Sequence, residues 1–186
     1  MTQFILASAS PRRKELLNRL ELSFEIIPSS VEENYNNGMA PQEMAKLWAL
    51  EKAHDVAAAH PETIVVGADT LVVLEENILG KPKDPSEAAA MLRKLSNKSH
   101  TVHTGVALVQ KSNEAVISFV ESTEVTFFEL DETLISSYVA TGSPLDKAGA
   151  YGIQDGSASF VEKVNGCYHL SLIHISEPTR RTPISY

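Results

Sequence analysis

The apolar run "TIVVGA", residues 63–68, constrains the fold more than any other part of the chain. After Thr63 every residue of the run is apolar or glycine, and the charged Asp69 follows at once. A run without polar alternation predicts a strand buried on both faces, which needs covering layers on both sides. The Ala-rich segment from Pro41 to about His60 predicts one covering helix. The run therefore predicts a sheet that is covered by helices.

Short strands and helices interleave along the rest of the chain without a regular βαβ repeat. We predict strands at residues 3–7, 24–27, 63–68, 71–74, 77–79, 102–109, 115–128 and 159–164, with a bend between 68 and 71. Helices are predicted after Ser10 and over residues 41–60, 86–95 and 131–141. This order favours a mixed α/β fold, with a mixed sheet flanked by helices, over a doubly wound parallel sheet.

Composition limits the domain count, the partners and the location of the protein. The 186 residues, 43% of them hydrophobic, suit one globular domain or two small lobes. A net charge of −8 argues against non-specific nucleic-acid binding, and no apolar run is long enough to span a membrane. Cys167 is the only cysteine, which excludes a disulfide framework and favours a reducing, cytoplasmic setting.

The chain divides into a main part and a tail. We assign residues 1–168 to a single domain. Residues 169–186 have no helical period and contain two prolines, and they differ in style from everything before them. They resemble translated sequencing-adaptor read-through, so we interpret them as an atypical tail of artefactual origin.

The segment "LASASPRR", residues 6–13, predicts a site for an anion. Ser10 is expected to cap a helix whose first residue is Pro11. A helix N-terminus carries free N–H groups and partial positive charge, and Arg12 and Arg13 add two cations.

Carboxylates lie at a strand end and in a loop. Asp69 is either a metal ligand or general base, or a turn aspartate that caps a bend. Glu32 and Glu33 lie in a predicted loop, where they are either solvated or supply an oxygen ligand to a divalent cation beside Asp69. The sequence therefore leaves a metal site and two ordinary structural roles open.

Further polar side chains follow along the chain. Lys52 lies on a partly apolar helix face, so it either extends to solvent or points into a cleft. Lys81 lies in the tight loop "GKP", and Lys147 and Gln154 lie in the glycine-rich stretch "DKAGAYGIQ". The amide of Gln154 can both donate to and accept from a base edge. His100 lies in a predicted strand and gives no functional signal.

These motifs together are typical of phosphoryl chemistry, in which cations hold phosphates and carboxylates hold Mg²⁺ or Mn²⁺. "LASASPRR", "EE" after the second strand, the lysine of the long helix, "GADT", "GKP" and "DKAGAYGIQ" occur in this order. In order and spacing they resemble the Maf family of nucleoside triphosphate pyrophosphatases, from about Phe4 to Tyr168. The resemblance implies two lobes around a substrate cleft, a fold like that of inosine triphosphatases, and often a homodimer.

The resemblance also implies a reaction and roles for individual residues. A nucleoside triphosphate is hydrolysed to the monophosphate and pyrophosphate, with Asp69 as proton acceptor and Glu32 and Asp69 as ligands of a divalent metal. Because nearby cations lower the pKa of a carboxylate, we expect a metal-activated water rather than a raised pKa of Asp69. We expect the substrate to be bound by Ser8, Arg12, Arg13, Lys52, Thr70, Lys81, Lys147 and Gln154.

Within the family, three positions imply the substrate. Arg12, Thr70 and Gln154 match a subgroup associated with dTTP and UTP, so we expect pyrimidine triphosphates, including modified ones, and a role in clearing non-standard nucleotides. The rival activities are release of orthophosphate, phosphotransfer, and nucleotide binding without turnover in the control of septum formation, to which the family is linked. After Tyr168 this chain has "HLSLIHISEP" where family members continue with a strand, a turn and a closing helix.

Overall fold

The computed structural model describes residues 4–19, 22–35, 38–153 and 156–167. Within these ranges the chain forms seven strands in one sheet and four α-helices. The strands are β1 (Phe4–Leu6), β2 (Phe24–Ile26), β3 (Ile64–Leu74), β4 (Asn77–Leu79), β5 (Ser99–Gln110), β6 (Ala115–Phe127) and β7 (Val161–Asn165). The helices are α1 (Pro11–Asn18), α2 (Pro41–Ala57), α3 (Pro85–Leu95) and α4 (Glu132–Ala140).

The sheet is mixed, as the sequence predicts. Its order is β2-β1-β3-β5-β6-β7, with β4 paired to β3. β1 is parallel to β2 and β3, whereas β3, β5, β6 and β7 are antiparallel neighbours. The predicted bend between residues 68 and 71 is wrong, because β3 pairs with β5 without a break from Val65 to Val73. This ladder carries the strand straight through Asp69.

β3 runs through several hydrophobic cores. Its first half lies in the cores formed with α1 and α2, where Val65 and Val66 are buried. Its second half reaches the larger core formed with α3 and α4, to which Val72 and Leu74 belong. Asp69 lies midway between the two halves. The strand therefore places one carboxylate at the junction of the two lobes.

The alternation of a strand assigns neighbouring residues to different helices. Val65, Gly67 and Asp69 face α2. Thr70 faces the other way and contacts a side chain of α1. The adjacent residues Asp69 and Thr70 thus contact different helices, α2 and α1.

Helix α2 lies unusually close to the sheet because two glycines face it. A Cβ atom on Gly67 would lie 2.1 Å from the carbonyl oxygen of Ala49, and one on Gly105 would lie 2.1 Å from that of Ala45. No side chain fits between these backbones. The contact therefore fixes the height of α2 above Asp69.

The helix starts agree in part with the sequence analysis. The side chains of Asp84 and Asp131 accept hydrogen bonds from backbone N–H groups in the first turns of α3 and α4. Ser10 takes the N-cap position of α1 and Pro11 the first helical one, but the Ser10 side chain makes no capping hydrogen bond. In the described ranges, no helix has the length and apolar character needed to cross a membrane.

We expect Gly105→Ala to lower the free energy of unfolding by about 2–3 kcal/mol, because the new methyl group meets helix backbone that cannot rotate away. Gly156→Ala is the matched control, since a Cβ there meets nothing within 4 Å. Urea unfolding followed by circular dichroism measures both. Equal stability of the two variants would contradict the close packing of α2.

Candidate active site

A cleft of about 460 Å³ opens beside the middle of β3. Its walls come from the segment that leads into α1, the loop after β2, Lys52 in the C-terminal half of α2, the loop after β4 and the glycine-rich stretch near residue 150. The polar and aromatic side chains that line it include Ser8, Arg12, Arg13, Glu33, Tyr35, Lys52, Asp69, Thr70, Lys81, Asp146 and Tyr151. The cleft is therefore built where the two lobes meet.

A lysine joins two carboxylates in the floor of the cleft. The ammonium group of Lys52 donates to Oε1 of Glu33 at 2.6 Å and to Oδ1 of Asp69. Asp69 is buried, with 4% of its surface exposed. The lysine thus points into the cleft, and of the two orientations that the sequence left open, the structure has the inward one.

The pKa values of the two carboxylates are shifted in opposite directions. Burial raises the pKa of Asp69, and the charges of Lys52 and Arg13 only partly offset it. Burial also acts to raise the pKa of Glu33, but the hydrogen bond and charge of Lys52 outweigh it and lower that pKa. The expectation that nearby cations dominate at Asp69 is therefore wrong, because desolvation of this carboxylate is the larger effect.

Glu33, rather than Glu32, stands beside Asp69. Glu33 lines the cleft and contacts Lys52, whereas Glu32, which is exposed as Glu33 is, is not among the cleft residues. The two glutamates are adjacent in a loop that has no helical or strand period. The sequence therefore contained no signal that distinguishes them.

Arg13 ties α1 to β3. Its guanidinium group donates to Oγ of Ser8 at 3.0 Å, to the carbonyl oxygen of Ala68 at 2.9 Å and to Oγ1 of Thr70 at 3.2 Å. Burial lowers its pKa, against the attraction of Asp69, yet an arginine remains charged throughout the ordinary pH range. Arg13 is therefore a fixed positive charge at the floor of the cleft.

The remaining predicted cations lie at the rim or beyond it. Nη1 of Arg12 lies 3.8 Å from Oδ2 of Asp146, and Lys81 is exposed at the mouth of the cleft. Lys147 is buried and donates to Asp146 at 2.7 Å and to Oγ of Ser143 at 3.0 Å. It lines a smaller neighbouring groove of about 270 Å³, not the cleft. Gln154 lies outside the described residues.

Two aromatic residues that the sequence analysis did not select line the cleft. Tyr151 forms part of its wall, and its hydroxyl group lies 2.7 Å from Nε2 of the buried His100. Tyr35 also lines the cleft and packs edge-on against Trp48, with ring centroids 5.1 Å apart. Tyr151 belongs to the core formed with α3 and α4 as well, and the sequence does not show that this residue reaches the cleft.

The two carboxylates suit a divalent metal whose other ligands come from a substrate and from water. The described residues contain no group of three or more His, Cys, Asp or Glu side chains that could hold a metal ion. Glu33 and Asp69 are held together by one cation, Lys52. Mg²⁺ is commonly bound by one or two carboxylates, with substrate phosphates and waters as its other ligands. Two converging carboxylates in an otherwise cationic cleft match that pattern.

The fold and the site define an α/β protein with a cleft that is lined by several cations and by a buried carboxylate. The sequence profile described as Maf-like protein matches residues 3–171, and the chain belongs to this family. Its fold class, a mixed sheet with helices, is the one that the sequence predicts.

Curated relatives are similar over most of the chain. A dTTP/UTP pyrophosphatase of Bacillus cytotoxicus is 52% identical over 169 residues, which are 91% of this chain and 87% of the relative. Proteins of the same name from a Geobacillus species and from Bacillus pumilus are each 49% identical over 168 residues, 90% of this chain and 89% and 88% of theirs. A solved HAM1 protein from Coxiella burnetii overlaps at 21% identity and a TM-score of 0.46, covering 68% of this chain and 73% of its own.

We expect the stability of the protein to fall in acid through His100. Burial lowers the pKa of His100 from 6.5 to about 4. Between these two pH values the imidazole is protonated in the unfolded chain and neutral in the folded protein. This stabilisation is complete above pH 6.5 and is lost as the pH falls toward 4, by about 3 kcal/mol in total.

The measurement is the free energy of unfolding between pH 7 and 4.5 for the wild type and for His100→Phe. The variant should show the shallower dependence, and His54→Gln, at an exposed position, should follow the wild type. Parallel profiles for the wild type and His100→Phe would contradict this role of the buried histidine.

Proposed function

We propose that this protein is a nucleoside triphosphate pyrophosphatase that hydrolyses dTTP and UTP to the monophosphate and pyrophosphate. The observation that carries the proposal is the buried Asp69, joined through Lys52 to Glu33, on the floor of a cleft that opens toward the N-terminus of α1. The relatives named dTTP/UTP pyrophosphatase support this enzyme activity and not the rival role of a nucleotide-binding regulator without turnover.

The cations of the cleft have different roles in binding the triphosphate. Arg13 supplies a fixed charge because three hydrogen bonds hold its guanidinium group. Arg12 and Lys81 lie at the rim, where they can close on the phosphates when substrate enters. The first turn of α1 adds N–H groups beside Ser8. The position of Lys147 in the neighbouring groove favours a role in holding Asp146 and Arg12.

We assign the role of proton acceptor to Asp69. A water molecule attacks the α-phosphorus, the bond from this phosphorus to the oxygen that bridges to the β-phosphorus breaks, and pyrophosphate leaves. Asp69 takes the proton of the attacking water, and its raised pKa suits a proton acceptor near neutral pH. A divalent cation, Mg²⁺ or Mn²⁺, held by Asp69 and by Glu33 in the place expected for Glu32, would neutralise phosphate charge and lower the pKa of that water.

The base of the nucleotide is expected against the segment that carries Tyr151. Tyr151, Gly152 and Ile153 line the cleft, and Gln154 follows them directly in the chain. An amide at that position can pair with the edge of a pyrimidine. We place the enzyme in the cytoplasm, where it would clear non-standard pyrimidine triphosphates, with no nucleic-acid or membrane partner.

We expect Asp69→Asn to lower kcat for dTTP by about 10²- to 10⁴-fold, because the amide cannot accept the proton. Binding of a non-hydrolysable dTTP analogue should remain within a few-fold of the wild type. Pyrophosphate release with Mg²⁺ or Mn²⁺ and calorimetric titration measure the two quantities. Glu76→Gln, at an exposed carboxylate of the turn after β3, is the control. Undiminished turnover in Asp69→Asn would refute the assigned role, and orthophosphate as the product would favour the rival hydrolase.

We expect Gln154→Ala to change the ranking of kcat/KM among dTTP, UTP and dCTP more than it changes the free energy of unfolding. The reason is the proposed pairing of this amide with the base. Gln42→Ala, at an exposed position in the first turn of α2, should leave the ranking as it is. A ranking that stays the same in Gln154→Ala would remove the base-reading role.

A further inference from the structure

We propose that Lys52 is a placeholder cation, which holds the two carboxylates together until a metal–triphosphate complex arrives and then transfers to the phosphates. The metal therefore enters together with the nucleotide and binds only weakly before it. This inference rests on the proposed function for its substrate. It adds an order of binding and a resting-state role for one lysine.

The placeholder role follows first from the contacts of Lys52. Its ammonium group touches one oxygen of Glu33 and one of Asp69 at the same time. An ammonium group has three donors and no acceptor, so it satisfies two carboxylates much as a small cation does. The two carboxylates that suit a divalent metal are thus already neutralised by a cation that belongs to the chain.

The charges in the floor of the cleft give the second step. With both carboxylates ionised, Lys52 and Arg13 match the formal charges of Glu33 and Asp69, so these four groups carry no net charge. A divalent cation that enters alone would leave an excess of positive charge among partly buried groups, which is unfavourable. A triphosphate brings more negative charge than the metal removes, and the rim cations Arg12 and Lys81 can match the remainder. Charge balance therefore favours joint entry.

The packing of α2 gives the third step, because it restricts the change to one side chain. The helix backbone lies directly against Gly67 of β3 and Gly105 of β5, so it cannot move closer to the sheet. Lysine has a flexible four-carbon stem, and the Lys52 side chain borders the open cleft. Its ammonium group can leave the carboxylates by rotation of the stem alone. Transfer to the phosphates then needs no movement of either lobe.

The test is Mn²⁺ binding without turnover, measured by electron paramagnetic resonance on the wild type and on Lys52→Met. For the wild type we expect weak binding of Mn²⁺ alone and binding at least about tenfold tighter with a non-hydrolysable dTTP analogue. In Lys52→Met, Mn²⁺ alone should bind at least about tenfold tighter than to the wild type, a difference of about 1.4 kcal/mol. Lys46→Met is the matched control on the same helix, since Lys46 pairs with Glu43 away from the cleft.

Removing Lys52 leaves two carboxylates close together, which can destabilise the fold. Lys52→Gln, which keeps hydrogen-bond donors, is therefore measured in parallel, with the rise in Tm on addition of Mn²⁺ as a second readout. Larger rises in the Lys52 variants than in the wild type support the proposal. Mn²⁺ affinity in both variants equal to or below that of the wild type overturns it.

These outcomes are separate from those of the proposed function. Tighter Mn²⁺ binding in the Lys52 variants of a protein that releases no pyrophosphate would keep the placeholder role and reject the activity. Normal pyrophosphate release together with unchanged Mn²⁺ binding in the variants would keep the activity and reject the placeholder role.

Discussion

The contact between Lys52 and the buried Asp69 is the interaction on which the rest of the site depends. A carboxylate taken out of water is costly unless a cation stands beside it. The cation comes from α2, and α2 lies close enough only because Gly67 and Gly105 carry no side chains. The ion pair between Lys52 and Asp69 therefore depends on both glycines and on the position of α2. It lies at the junction of the two lobes.

Arg13 completes this arrangement from the other side of β3. Strand alternation turns Asp69 toward α2 and Thr70 toward α1, so that each helix contributes one cation to the same short segment. Arg13 is held by three hydrogen bonds, whereas Arg12 and Lys81 lie at the rim. The cleft therefore separates fixed charges in its floor from adaptable charges at its mouth. A long, flexible anion such as a triphosphate is matched by both kinds.

Much of this could be predicted from the sequence because the signals are local. The apolar run that ends at Asp69 predicts the central strand, and Ser10 followed by Pro11 predicts the start of α1. The continuity of β3 could not be predicted, since the pairing that carries the strand through Asp69 comes from the distant β5.

Other features depend on contacts between segments that are far apart in the chain. The direction of Glu33 is set by Lys52, and the burial of His100 beside Tyr151 joins residues 51 positions apart. The periodicity of hydrophobic residues in the sequence does not indicate such contacts. The expectation that the pKa of Asp69 is not raised is wrong for a related reason, because counting nearby cations ignores the depth at which the carboxylate is buried.

The most direct test of the account is a crystal structure of the protein with Mn²⁺ and a non-hydrolysable dTTP analogue, with anomalous scattering used to locate the metal. The account expects one Mn²⁺ between Glu33, Asp69 and the phosphates, and the ammonium group of Lys52 on a phosphate oxygen. A metal held by Glu32, or a Lys52 that still bridges Glu33 and Asp69 beneath the bound nucleotide, would contradict it.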